Sequence, residues 1–200
     1  MPPIERSAER DAAIEAVLPA IAFGGWTIAN LREAAGADAD LLFPGGTIDL
    51  VEAYVDYADR RMETAARALF AGRTAGLTQR IRALIGLRLD QAAGEREAIR
   101  RALAILALPL HARATARITA RTVDSIWHAA GDTSADFSWY TKRAILAAVW
   151  SATLLFWLSD MSGGEATMEF LDRRLAGVAR LGRLRARLTG RLRRVAPQVG

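Results

Sequence analysis

Between Lys142–Arg143 and Asp160 runs an uncharged, largely apolar stretch, Ala144 to Leu158, of 15 residues. A membrane-crossing helix needs about 20, so this stretch predicts a helix that something else must cover. Such a helix occupies the centre of a bundle or turns part of its surface to a second copy or a greasy ligand. The rest of the chain points the same way. Helical periodicity covers most of the 200 residues, strand-like alternation is absent, and only six prolines interrupt. A chain of this size can bury a sizeable core, and the expectation is an all-α bundle with short loops.

Local punctuation sets the expected helices. The first runs from Ser7, as N-cap, to Phe23, and Gly24–Gly25 ends it. A second spans Thr27 to Ala35, stopped by Gly36, and a brief third spans Asp38 to Leu42 before Pro44–Gly45–Gly46. Thr47 is expected to cap a long helix to Leu69. Further helices are predicted over Leu77–Leu89, Glu95–Leu108, Ala112–Ala130, Asp136–Ser159 and Glu165–Leu175, and the pattern continues to Val195.

The net charge of +5 hides an asymmetry. All 22 acidic residues lie at or before Asp172 with 18 of the 27 basic ones, a net of −4; the last 28 residues hold nine arginines and no acid. On a helix, Leu181, Leu184, Leu188, Leu192 and Val195 fall within roughly an 80° arc. Arg180, Arg183, Arg187, Arg191 and Arg194 occupy a neighbouring arc. A basic amphipathic helix of this kind suits the plane of an anionic membrane, reversibly bound. Packing back on the body, or binding nucleic acid, would use the same residues. The start, MPPIERSAERD, has no apolar stretch and is read as no signal peptide, and the absence of cysteine fits a reducing compartment.

Near the N-terminus comes a helix, then Gly25–Trp26–Thr27, then Ile28 to Ala35, Gly36, and a brief helix ending Leu42–Phe43. This part, residues 12–53, resembles the helix-turn-helix of TetR-family repressors. In such a motif the brief helix enters the major groove and carries basic and polar side chains. Here Gly36 to Phe43 offers Asp38 and Asp40 without a base, and Pro44 to Tyr57 adds Asp49, Glu52 and Asp56. A surface that must release counterions from DNA needs positive charge. The motif therefore reads as degenerate, with no DNA partner.

The segment Val123 to Asp172 is more specific. It holds Asp124–Ser125–Ile126–Trp127–His128, Ala130–Gly131–Asp132, and Asp136–Phe137–Ser138–Trp139–Tyr140–Thr141–Lys142–Arg143. Trp157–Leu158–Ser159–Asp160 and Glu169–Phe170–Leu171–Asp172 follow. Over residues 11–188 the chain resembles the coenzyme Q biosynthesis protein nine family. The resemblance implies a TetR-like fold, a homodimer, and an interior that holds lipid or isoprenoid. It also implies a partner, the di-iron demethoxyubiquinone hydroxylase, to which quinone intermediates are presented. A partner patch is implied at Asp124, Ile126, Asp136, Trp139, Tyr140 and Arg143. Positions 136, 139, 140 and 143 step by three and four and so share a helical face, which mixes aromatic and charged groups as interface hot spots do. By spacing alone, Trp139 could equally pack inward and Asp136 cap the helix.

The helices from Glu95 to Ser159 are apolar enough to wall a lipid pocket, with Leu106, Trp127, Trp150 and Trp157 as candidate walls and Pro109 as a possible bend. No catalytic constellation is evident: His111 and His128 lack a carboxylate at the spacing of a bundle metal site, and no phosphate-binding glycine loop occurs.

The reading is a non-enzymatic lipid-binding accessory protein of ubiquinone biosynthesis, without metal or cofactor other than its lipid. The resemblance implies a place on the cytoplasmic face of a bacterial inner membrane, or the matrix face of the mitochondrial one in a eukaryote. Three regions are expected: 7–70, the degenerate helix-turn-helix; 71–175, the lipid-binding and dimerisation domain; and 176–200, the membrane-binding helix and tail. Two other classes remain open, a ligand-responsive TetR-family transcription regulator and a membrane-bound structural dimer without cargo.

Overall fold

Ser7 begins the first helix as expected: its extended backbone lets the side chain accept from the Arg10 N–H at 3.2 Å, satisfying a donor that has no partner within the helix. The computed structural model describes residues 4–72, 74–131 and 139–178. Helix α1 spans Ala8–Val17 and buries Arg10, Ala13, Ile14 and Val17, the spacing of one helical face. It does not continue unbroken to Phe23. Pro19 has no N–H to donate, and the chain tightens into a 3-10 turn, Leu18–Ala20, before α2, Ile21–Gly24. Gly25, at φ 68°, ends α2 in a conformation that side chains avoid.

Thr27 caps α3 (Ile28–Ala35) by accepting from the Asn30 N–H at 3.1 Å. Asn30 in turn donates to the Gly25 carbonyl at 3.0 Å. It lies so near Gly24 that a Cβ there would stand 2.5 Å from its Cγ. The brief helix expected over Asp38–Leu42 is a single 3-10 turn, Ala39–Leu42. The long helix α4 spans Thr47–Phe70, and its N-cap is Gly46 at φ 66°, so Thr47 is the first helical residue and not the cap.

Helices α5 (Leu77–Gln91), α6 (Arg96–Leu106) and α7 (Ala112–Ala130) follow. The Arg117 guanidinium grips Glu52, and Thr122 donates to Asp59 at 2.7 Å, so α4 and α7 run parallel. Arg88 of α5 donates to the same Asp59 at 3.2 Å, and Arg80, nearer the start of α5, lies over the ring of Phe70; α5 is thus antiparallel to α4. Asp59, Arg88 and Thr122 form a buried polar knot in an apolar layer that includes Leu50, Val51, Met62, Leu84, Ile85, Val123 and Ile126. Burial pushes the Asp59 carboxyl up, against the pull of Arg88.

Trp26 ties the helix-turn-helix to this layer. It is buried, donates its indole N–H to the Ala98 carbonyl of α6 at 2.8 Å, and sits 4.9 Å from the ring of Tyr54 on α4. The Tyr54 hydroxyl donates to Glu95 at 2.7 Å. The chain therefore divides into compact units at 1–143 and 144–200. The boundary expected at 70/71 falls inside the first unit, because α4 is both the last helix of the headpiece and a wall of the body.

The acidic residues of α4 also have a different role from the one expected. Asp49 receives Arg10 at 2.8 Å, Glu52 receives Arg117 and Arg121, and Asp56 receives Arg6 at 2.6 Å and Arg60 at 2.9 Å. Arg60 also reaches Asp11 at 2.6 Å. These carboxylates bind arginines of the same chain, so they are not a free negative field facing DNA. Asp40 is paired too, with Arg32 at 2.5 Å, while Asp38 is exposed.

Helix α8 spans Trp139–Ser159 and carries the apolar run. In the second unit it buries Leu146, Val149, Trp150, Thr153 and Trp157 along one face. The opposite stripe stays open, with Leu155 61% exposed; the run is half covered, so of the two arrangements expected it is not the one wholly enclosed at the centre of a bundle. Residues 165–178 are helical, three residues beyond the expected end. Between the two helices Asp160 accepts from the Ser162 hydroxyl at 2.6 Å, the Ser162 N–H at 2.8 Å, and the Thr167 hydroxyl and N–H at 2.5 and 2.9 Å. These donors hold its carboxyl well below the usual range. Phe156 and Phe170 stack with centroids 4.5 Å apart.

Candidate functional site

The residues expected at a partner surface meet where α8 begins beside α7. Arg143 donates from Nε to Asp124 at 2.5 Å, with Asp124 half exposed to solvent. Tyr140, one turn before Arg143, is 77% exposed. An ion pair with an exposed aromatic ring beside it can offer a partner both charge complementarity and a large apolar contact. Trp139 is the first residue of α8, although its side chain, like Asp136, lies outside the described residues.

Ile126 does not belong to this face. It is 0% exposed. Two steps along a helix turn it by roughly 200° from Asp124, which carries it into the core. The α7 position that does share the Asp124 face is His128, four residues on and exposed, and that spacing was available in the sequence.

The four residues expected to line a pocket are all buried, Leu106 and Trp127 in the first unit, Trp150 and Trp157 in the second. Trp127 is unusual. Its Nε1 is buried and finds no hydrogen-bond acceptor among the described residues, and an indole N–H without an acceptor costs about 1–3 kcal/mol. The expected membrane residues Arg180, Leu181, Arg183, Leu184, Arg187, Leu188, Arg191 and Leu192 lie outside the described residues.

One surface concavity, of about 340 Å³, was not anticipated. It is lined by Tyr57, Arg60, Arg61, Thr64, Ala65 and Gln91, and the first four follow helical spacing on α4. Its cations are matched within the fold: Arg60 by Asp11 and Asp56, Arg61 by Glu95 at 3.0 Å. The Tyr57 hydroxyl donates to Glu15, and burial together with that bond pushes it up to about 12. This concavity is charge-balanced and builds no anion site. Among the described residues there is no group of three or more His, Asp or Glu able to hold a metal. Among them too, no helix is long and apolar enough to cross a membrane.

Known proteins resemble this chain in both sequence and fold. A model of the COQ9 family matches residues 112–182, which hold α7, α8 and the helix after Asp160. The ubiquinone biosynthesis protein COQ9, mitochondrial, of Rattus norvegicus is 42% identical over 83 residues, 41% of this chain and 27% of that one. The coq9 protein of Schizosaccharomyces pombe is 32% identical over 148 residues, 72% of this chain and 57% of that one. The chain thus spans about a quarter of the rat relative and little more than half of the yeast one. Among solved structures, a TetR transcriptional regulator from Nitrosomonas europaea superposes with a TM-score of 0.68 at 25% identity, covering 86% of this chain and 99% of that one. The fold is an all-α, TetR-like bundle.

Proposed function

We propose that this chain, whose residues 112–182 match a model of the COQ9 family, is a non-enzymatic accessory protein of ubiquinone biosynthesis that carries an isoprenoid, quinone or phospholipid and presents it to the demethoxyubiquinone hydroxylase. The observation that carries the reading is Trp127. Its buried, unpartnered indole N–H lies on the apolar face of α7. An acceptor oxygen on a mostly hydrocarbon ligand, such as a quinone carbonyl or a lipid ester, satisfies that donor without adding charge to the interior.

The hydroxylase docks on the Asp124, Tyr140 and Arg143 surface, joined by Trp139 and Asp136. The protein acts as a homodimer, the open stripe of α8 around Leu155 being covered by a second copy. It works at the membrane surface, held by the basic segment that contains residues 180–192. A transcription regulator is the less favoured reading, since the recognition element is one 3-10 turn whose Asp40 is held by Arg32.

Organic extraction of gently purified protein, followed by mass spectrometry, tests the cargo. A prenylated or acyl lipid should be recovered at near-stoichiometric level, and Trp127→Phe should lower the yield several-fold at unchanged helicity. Recovery of no lipid from the wild-type chain overturns the reading. Tyr140→Lys should leave the lipid in place and weaken hydroxylase capture at least about tenfold, the loss expected of one interface hot spot; unchanged capture removes this surface as the docking site.

A further inference from the structure

The turn between α6 and α7 presents four consecutive exposed apolar residues, Ala107 to Leu110. Leu108 is 47% and Leu110 75% exposed, on either side of Pro109. An apolar residue exposed singly on a surface is ordinary; two leucines projecting from one tight turn are not. The turn is also firmly built. The Thr115 hydroxyl donates to the Leu106 carbonyl at 2.7 Å, with the His111 carbonyl 3.1 Å away, and the His111 N–H returns to Leu108 at 2.9 Å. Pro109 restricts its own φ. These leucines are held out by the backbone and are not merely left uncovered.

The charge around the turn indicates what they meet. Between Glu97 and Asp124 the chain has no carboxylate, while residues 96–121 hold six arginines. Arg100 and Arg101 share Glu97, and Arg117 and Arg121 share Glu52. Arg113, exposed one turn after Leu110, meets no carboxylate among the described residues. A convex apolar tip with an unmatched guanidinium at its shoulder suits a partner that yields to shape, is hydrocarbon at depth and anionic at its surface. An anionic lipid bilayer has those properties.

We propose that the Leu108–Leu110 turn is a lipid-surface contact in its own right. The two leucines enter the acyl boundary and Arg113 sits among lipid phosphates. This contact lies in the first unit and is separate from the basic segment at residues 180–192. It fixes which end of the bundle faces the bilayer: α4 and α7 are parallel, so this end is also where α4 begins, while Ala130 and Phe70 lie at the other.

The absence of cysteine makes the test clean. Leu110→Cys in the full-length chain gives one site for an environment-sensitive fluorophore, and Ala68→Cys, exposed near the far end of α4, gives a control. With vesicles of phosphatidylglycerol and phosphatidylcholine, the label at 110 should brighten, shift to the blue and be quenched by lipids spin-labelled just below the headgroup. The label at 68 should not respond. Leu110→Asp, which changes only an exposed side chain, should lower vesicle partition about tenfold or more. Co-sedimentation with an unresponsive label at 110 overturns this contact while leaving membrane association through the basic segment intact. Equal responses at 110 and 68 overturn it as non-specific adsorption. No co-sedimentation overturns both.

Discussion

The buried carboxylate of Asp59 is held by an arginine that is buried with it. Asp59 and Arg88 are both almost wholly covered, and Thr122 supplies the remaining donor. Removing one partner strands the other, at a cost of about 3–5 kcal/mol, whereas replacing both by apolar groups of similar volume costs far less. Arg88→Met should therefore lower unfolding free energy in urea by about that amount, and Asp59→Leu combined with Arg88→Met should recover most of it. The sign of the pH dependence follows from the direction of the shift. A carboxyl whose folded pKa lies above its unfolded value loses stability as pH rises from one to the other. Without Arg88 the upward shift grows, so Arg88→Met should be relatively more stable in mildly acid urea titrations than in neutral ones. These pairings were invisible in the sequence. Arg10 finds Asp49 39 residues away and Arg117 finds Glu52 65 residues away, and no local pattern distinguishes a carboxylate awaiting such a partner from one that repels DNA. Ile126 is the contrary case, because its angular distance from Asp124 could have been read directly.

Among the elements, boundaries set by local chemistry are legible in the sequence and those set by distant partners are not. Ser7, Thr27, Gly25 and Gly36 end or begin helices by chemistry confined to four or five residues, and α7 begins and ends where its periodicity does. The break at Pro19 is equally local, since a residue without an N–H interrupts the helix, while Gly46 stands at the cap expected of Thr47 with a positive φ that glycine adopts without strain. The half-covered state of α8 depends on what the rest of the chain supplies, which composition does not disclose. Gly24 gives a test at this scale. A methyl there overlaps Asn30, whose amide closes the turn onto Gly25. Gly24→Ala should cost about 1–3 kcal/mol, measured by urea unfolding, with amide exchange accelerated over residues 21–31. Gly76→Ala, with nothing within 4 Å of the added atom, serves as the mild comparison.

For the molecule as a whole, the all-α class and the TetR-like frame were legible because both follow from periodicity and a compact motif. The candidate surface at Asp124, Tyr140 and Arg143 was legible through family likeness, with geometry adding the ion pair. How the body is divided was not, because Trp26 joins sequence-distant helices across the expected boundary. The charge asymmetry leads to a further expectation. Seven arginines lie within residues 176–200 and contribute roughly 1 kcal/mol each near an anionic leaflet, less the cost of ordering the segment. Deleting residues 176–200 should therefore lower flotation with anionic liposomes by about a hundredfold or more, leaving the weaker grip of the Leu108–Leu110 turn; flotation at full strength would relocate the main contact. Trp26 carries a last consequence. A repressor reports occupancy of its pocket by swinging its reading head, and that requires a hinge. Here the Trp26 indole, donating to the Ala98 carbonyl of α6 and seated against Tyr54 of α4, couples the headpiece to the body and does not leave it free to swing alone.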